Sequence, residues 1–262
     1  MIRALYTAAS GMDAQQSNID VIANNLANVN TAGFKKSRME FQDLVYQQMQ
    51  AAGSPTSTSS ESPVGLEIGL GTMPAATARD FANGNLRATN APFDLAIEGR
   101  GFFQVSLPSG EIGYTRAGSL HLSADGTLVT ADGYPLEPQI TIPPEAISVT
   151  ISRAGIVSAQ IAGQSAVQEL GTIELAIFQN PAGLQALGGN IFVATTASGE
   201  PTTGAPGQDG IGTIVQGFLE NSNVSVVEEM VNMILAQRAY EANSKVVRAS
   251  DEMLTQVNNL VR

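Results

Sequence analysis

Apolar side chains at the N-terminal end recur at alternating spacings of three and four. Ile2, Leu5, Ala9, Met12, Gln16, Ile19, Ala23 and Leu26 form a heptad seam with one glutamine at a core position. The pattern predicts a helix ending near Asn30, with Gly33 supplying a left-handed cap or turn. The C-terminal end repeats it. Val226, Met233, Tyr240, Val247, Leu254 and Val261 fall seven apart, and Val246, Met253, Val257 and Leu260 widen the stripe. Ser225 and Glu228 have capping-box spacing, which sets the helix start at Ser225. Two readings of these narrow seams stand open. They are an antiparallel pair packed within one chain, or a pair that also packs against copies of itself.

Between the helices the period shortens to that of strands. Short runs of Val, Ile, Leu, Phe and Tyr from Pro92 to Leu136 are separated by Gly99-Arg100-Gly101, Pro108-Ser109-Gly110, Asp125-Gly126 and Asp132-Gly133. Asp-Gly between alternating apolar residues is a hairpin signal. Further strands are expected at 147–151, 155–161, 171–178 and 190–194. The segments 53–63 (GSPTSTSSESP) and 198–210 (SGEPTTGAPGQDG) are rich in small, polar and Pro residues, and they read as mobile linkers or interface loops. The resulting fold class is α+β: terminal helices pairing as a coiled coil, with a mainly β domain inserted between them.

Charge sharpens this division. The 262-residue chain has a formal net charge of −11, yet residues 1–46 sum to zero and residues 221–262 to −1. The middle holds 5 basic against 15 acidic residues. Near-neutral ends and an acidic middle argue against nucleic-acid binding, which needs a basic stripe. They fit ends buried in something and a solvated middle. Charged residues make up 14 % of the chain, below the usual proportion of about 25 %. No secretory signal is visible in MIRALYTAASGMDAQQ, and no apolar run is long enough to span a bilayer.

Candidate chemistry is sparse. There is no Cys, which removes disulfides, thiolate nucleophiles and Cys-based metal sites. The one histidine, His121, alternates with Leu120 and Leu122 and reads as the outer face of a strand. There is no G-x-S-x-G elbow. GLEIGLGT (65–72) lacks the lysine of a phosphate loop and reads as turns or bulges. Glu228 and Glu229 suit the first turn of a helix, and Asp251 and Glu252 its polar face. Asn223-Val224-Ser225 has the form of a glycosylation acceptor. No catalytic residue, cofactor or metal is expected.

The first helix is unusual in its amides. Asn18, Asn24, Asn25, Asn28 and Asn30 crowd into it, although asparagine competes for local backbone hydrogen bonds. Asn28 and Asn30 suit the helix end. Asn18, Asn24 and Asn25 fit a surface where identical helices meet: neutral amides donate and accept, whereas repeated charges would repel.

Five stretches carry a resemblance. AASGMDAQQSNIDVIANNLANVNTAGFKK (8–36) resembles the N-terminal motif of bacterial flagellar rod and hook proteins, and residues 222–260 resemble their C-terminal motif. NAPFDLAIEGRGFFQV, YTRAGSL and FQNPAGL in the middle are similar too. The chain is most like the distal rod branch of this axial family. That resemblance implies a terminal helical inner domain (1–33 and 222–262), a connecting extended or loop region (34–90 and 198–221) and an outer β-rich domain (91–197). It also implies a structural role in the basal body: a rigid helical tube that transmits torque and lets export substrates pass. Its partners would be copies of itself, proximal rod proteins, the hook protein and the surrounding peptidoglycan and outer-membrane rings, without nucleic acid or membrane insertion. The tube would cross the periplasm after export without a cleaved signal. The stretch 47–63 lies where distal rod proteins resemble one another in carrying an insertion linked to straightness. The expected self-assembly seam is Leu5, Met12, Ile19 and Leu26 with Met233, Tyr240, Val247 and Leu254. The alternatives are a hook or proximal rod subunit of the same family, a peptidoglycan-acting enzyme, and a surface β-domain adhesin.

Overall fold

The computed structural model describes residues 2–57, 60–161 and 166–260. It has a helix at each end of the chain and a mainly β middle, an α+β fold. The chain divides into two compact units and passes between them four times.

The first unit comprises Met1–Ala27, Ser37–Ala78 and Ser225–Arg262. Helix α1 (Ile2–Ala27) packs against helix α2 (Val226–Leu260). Two close approaches set their register. Asn25 Nδ2 donates to Glu229 Oε2 at 3.3 Å. Gly11 lies against Asn243, whose Nδ2 would be 2.8 Å from any Cβ added there. Moving back along α1 from Asn25 to Gly11 matches moving forward along α2 from Glu229 to Asn243, so the helices run antiparallel. The first helix stops at Ala27, three residues short of Asn30.

Residues 37–79, expected as an extended connection with a mobile stretch, form three nested antiparallel pairs. Strand β1 (Ser37–Asp43) pairs with β6 (Thr72–Arg79), β2 (Tyr46–Gln50) with β5 (Leu66–Gly69), and β3 (Pro55–Ser57) with β4 (Ser60–Glu61). Thr58 and Ser59, within the 53–63 segment, lie outside the described residues.

The second unit comprises Asn28–Lys36 and Arg79–Val224. Its strands in chain order are β7 (Leu86–Ala88), β8 (Leu95–Glu98), β9 (Phe102–Ser106), β10 (Ile112–Thr115), β11 (Leu120–Leu122), β12 (Leu128–Thr130), β13 (Leu136–Glu137), β14 (Ala146–Ile151), β15 (Ile156–Ile161), β16 (Val167–Thr172), β17 (Leu175–Ile177), β18 (Gln185–Gly188), β19 (Ile191–Val193), β20 (Thr202–Gly204), β21 (Thr213–Gln216) and β22 (Phe218–Glu220). The largest sheet runs β18-β19-β10-β9-β17-β20, with β13 also on β9. Central β9 is buried on both faces, so its side chains feed two cores in alternation. Phe103 and Val105 join Leu95, Ile97 and Leu175 in the main core. Phe102 joins Tyr114, Phe178 and Phe192 in an aromatic core on the other face.

The predicted turns have physical counterparts. At Asp125-Gly126 the chain reverses between β11 and β12, with Gly126 N–H donating to Ser123 O. At Ser109-Gly110 it reverses between β9 and β10, with Gly110 N–H donating to Leu107 O. Strands at 146–151, 156–161, 175–177 and 191–193 lie within or beside the expected ranges. The Gly/Pro-rich stretch 198–210, read from sequence as mobile, contributes β20 to the edge of the main sheet, and Ser198 is buried. Backbone pairing supplies what its side chains lack.

Candidate assembly surface

In the helix pair, the buried row of α1 is Ala8, Ala14, Ile22 and Asn25. It lies to one side of the expected seam, whose members Leu5, Met12, Ile19 and Leu26 are half-buried. On α2 the buried residues are Glu229, Ala236 and Ser250. Met233, Val247 and Leu254 are half-buried between them and Tyr240 is 38 % exposed. The antiparallel register sets Met233, Tyr240 and Val247 level with Val21, Ala14 and Thr7, not with the expected α1 seam residues. Ile22 apart, the buried side chains of the pair are small or polar, and the other large apolar ones lie on the flanks.

The amides separate by role. Asn25 is buried, and all its recorded partners are in its own unit. Its Nδ2 donates to Ser37 O at 2.8 Å and to Glu229, and its Oδ1 accepts from Ser37 N–H at 2.9 Å. It pins the start of β1 to α1 and leaves no donor for a neighbouring subunit. Asn18 is half-buried and Asn24 exposed. Asn28 lies just past the helix, where Thr31 donates to it through backbone N–H and hydroxyl.

Beyond the buried row, α2 carries a run of uncovered apolar residues near its start: Val227 is 74 % exposed, and Met230, Val231, Ile234 and Leu235 are all more than half exposed. The ribbon adds Val45 at 75 % and Val64 at 73 %. An isolated two-stranded ribbon with its apolar residues in water is marginally stable, so both features imply a covering surface.

The second unit holds a buried ionic cluster that the sequence reading missed. Glu220, at the end of β22, accepts from Lys35 Nζ at 2.6 Å and from Arg116 Nη1 at 3.2 Å, and all three side chains are almost fully buried. Glu220 Oε1 also accepts from Gly84 N–H, and Lys35 donates to Ala82 O. Arg116 donates further to Ile97 O, Asn83 Oδ1 and Gly99 O, and its Nε has no partner. Burial pushes both Lys35 and Arg116 below their ordinary values, with Glu220 opposing the shift. The backbone closes around this cluster. Gly33 N–H donates to Glu220 O, and Gly33 has φ +72°, where a Cβ would strike Ala117 N at 2.6 Å.

Other sequence features resolve simply. His121 is exposed on β11 opposite Val129. GLEIGLGT supplies β5 and the turn into β6. Asn223 of the Asn-Val-Ser tripeptide spends its amide inside the unit, accepting from Lys36 N–H and donating to Asp80 O and Ala82 O. Among the described residues no helix is long and apolar enough to cross a membrane.

Three family models match the chain. The model described as flagella basal body rod protein covers residues 5–35, the flagellar hook protein FlgE/F/G D1 domain covers 96–159, and the flagellar basal body rod FlgEFG protein C-terminal covers 215–260. Over its full length the chain is 53 % identical to the whole of the flagellar basal-body rod protein FlgG of Borreliella burgdorferi. It is 49 % identical, over 99 % of its length, to all of the protein of that name from Buchnera aphidicola subsp. Schizaphis graminum. With the one from Caulobacter vibrioides it shares 47 % identity over 99 % of each chain.

Proposed function

The chain belongs to the flagellar basal-body rod protein FlgG family, and on that premise we propose that its subunits polymerise into the rigid helical tube of the distal rod. The tube transmits torque to the hook and leaves a path for exported proteins. Its axial neighbours are proximal rod proteins and the hook protein, and the peptidoglycan and outer-membrane rings surround it. The terminal helices pair as a coiled coil in the inner domain, and the β-rich domain is outermost.

One observation carries this reading: the exposed apolar run Val227–Leu235 on a helix whose buried row is already occupied by α1. A heterologous contact repeated from subunit to subunit covers such a face and generates a filament rather than a closed ring. The flanking residues Leu5, Met12, Ile19, Leu26, Met233, Tyr240, Val247 and Leu254 form the self-assembly seam. Asn18 and Asn24 supply amides to identical neighbours.

Leu254 gives the sharpest test. The register puts Ile2, the first residue of α1, level with Glu252, so Leu254 lies past the reach of α1. The substitution Leu254→Asp is expected to leave the helix pair and the β unit folded, by circular dichroism, and to abolish tubes in electron micrographs. Tubes of normal length from this variant would overturn the proposal.

A further inference from the structure

The acidic middle of the chain concentrates its positive charge in one place. Residues 47–220 contain only Arg79, Arg87, Arg100, Arg116 and Arg153 as basic residues. Three of these five surround one aromatic cluster. The Arg79 guanidinium stands 5.0 Å from the centre of the Phe192 ring, and that of Arg116 stands 5.6 Å from the centre of Phe102. Arg100 is exposed and lines a cavity of about 70 Å³ together with Phe81, Phe102, Arg116, Phe178 and Pro181. Phe81, Phe102 and Phe178 meet edge to face at 5.4 and 5.8 Å, so the cavity floor is rigid.

The buried charges beneath this floor are two cations to one anion. Buried Lys35 and Arg116 share the single buried carboxylate of Glu220. Exposed Asp80 offsets part of the charge on Lys35, and Glu220 is the carboxylate paired with Arg116. An apolar socket with a cationic rim and floor suits a knob that joins aliphatic side chains to carboxylates.

The same unit carries such a knob. The three-stranded sheet β14-β15-β16 holds no Lys or Arg in its strands. It leaves Ile147 71 % and Val167 62 % exposed, with exposed Glu145 and Glu169 two residues from them.

We propose that the cavity at Arg100, Phe102 and Pro181 is a subunit–subunit socket that receives the Glu145–Ile147 edge of a second copy. Subunits of net charge −11 repel when packed side by side. The socket is where an acidic neighbour meets opposite charge, so it fixes the lateral register of the β units. This assignment rests on the polymer reading above.

The test uses the absence of native cysteine. Full-length R100C and I147C chains are mixed, grown into polymer and oxidised. The expected product is an R100C–I147C disulfide dimer, with none from R100C mixed with H121C. Polymers that form without the R100C–I147C dimer overturn the socket and leave the rod reading standing, whereas wild-type chains that form no polymer overturn both. In parallel, R100E is expected to slow polymer growth roughly tenfold, as loss of a steering charge at an interface rim does, with thermal unfolding unchanged because Arg100 is exposed. Growth at the wild-type rate would count against the socket.

Discussion

Glu220 illustrates how one side chain can hold distant stretches together. It is the common acceptor for Lys35, Arg116 and the Gly84 N–H. Glu220→Gln would leave two buried cations without a counter-charge, and breaking a buried pair in this way costs about 3–5 kcal/mol. Lys35→Met leaves the Arg116–Glu220 pair intact, so its cost is expected to be clearly smaller. Urea unfolding of the two variants checks that order. The same cluster gives a pH dependence. Lys35 lies below its ordinary 10.5, so beneath that pH the unfolded chain binds more protons there and stability rises with pH. Burial holds Tyr114 above its ordinary 10.0, which reverses the slope once tyrosine ionises in the unfolded chain. Urea midpoints should therefore climb with pH on the alkaline side up to about pH 10, and Lys35→Met should flatten the climb. None of this was legible in the sequence. Lys35 enters the sequence reading only as one of the charges that cancel over residues 1–46, and nothing local marks Glu220, 185 residues away, as its partner.

At the scale of elements, the heptad period disclosed both helices, and the Asp-Gly and Ser-Gly turns disclosed hairpins, because these signals are local. The facing row was not legible. Periodicity follows the largest apolar side chains, whereas α1 meets α2 through Gly11, Ala14 and Asn25, which permit closer approach. Gly11→Leu is expected to displace Asn243 and loosen the pair, seen as faster amide exchange in both helices with the β unit unaffected. Asn25→Ala removes three hydrogen bonds, two to the half-buried Ser37 backbone and one to the buried Glu229 carboxylate, at a cost of about 1–3 kcal/mol in all. The ribbon of β1 to β6 escaped the reading for a different reason. Its strands are rich in Gln, Ser, Thr and Ala and have one weak apolar face, so composition pointed to a linker.

For the whole molecule, the ribbon offers a way to test rod stiffness apart from subunit folding. Deleting Ser54–Ser62 removes its tip and spares both helices and every strand of the β unit. Such chains are expected to fold and polymerise into softer or curved rods; straight rods of unchanged stiffness in micrographs would reject that role for the ribbon. The β unit is also built from both ends of the chain: residues 28–36 close against 213–224 through Gly33, Lys35 and Glu220. This arrangement imposes an order in time. A chain emerging N-terminus first, from a ribosome or a narrow pore, cannot neutralise Lys35 or Arg116 until residue 220 has followed. The β unit can therefore lock its buried core of charge only late in its own transit, once β22 has followed.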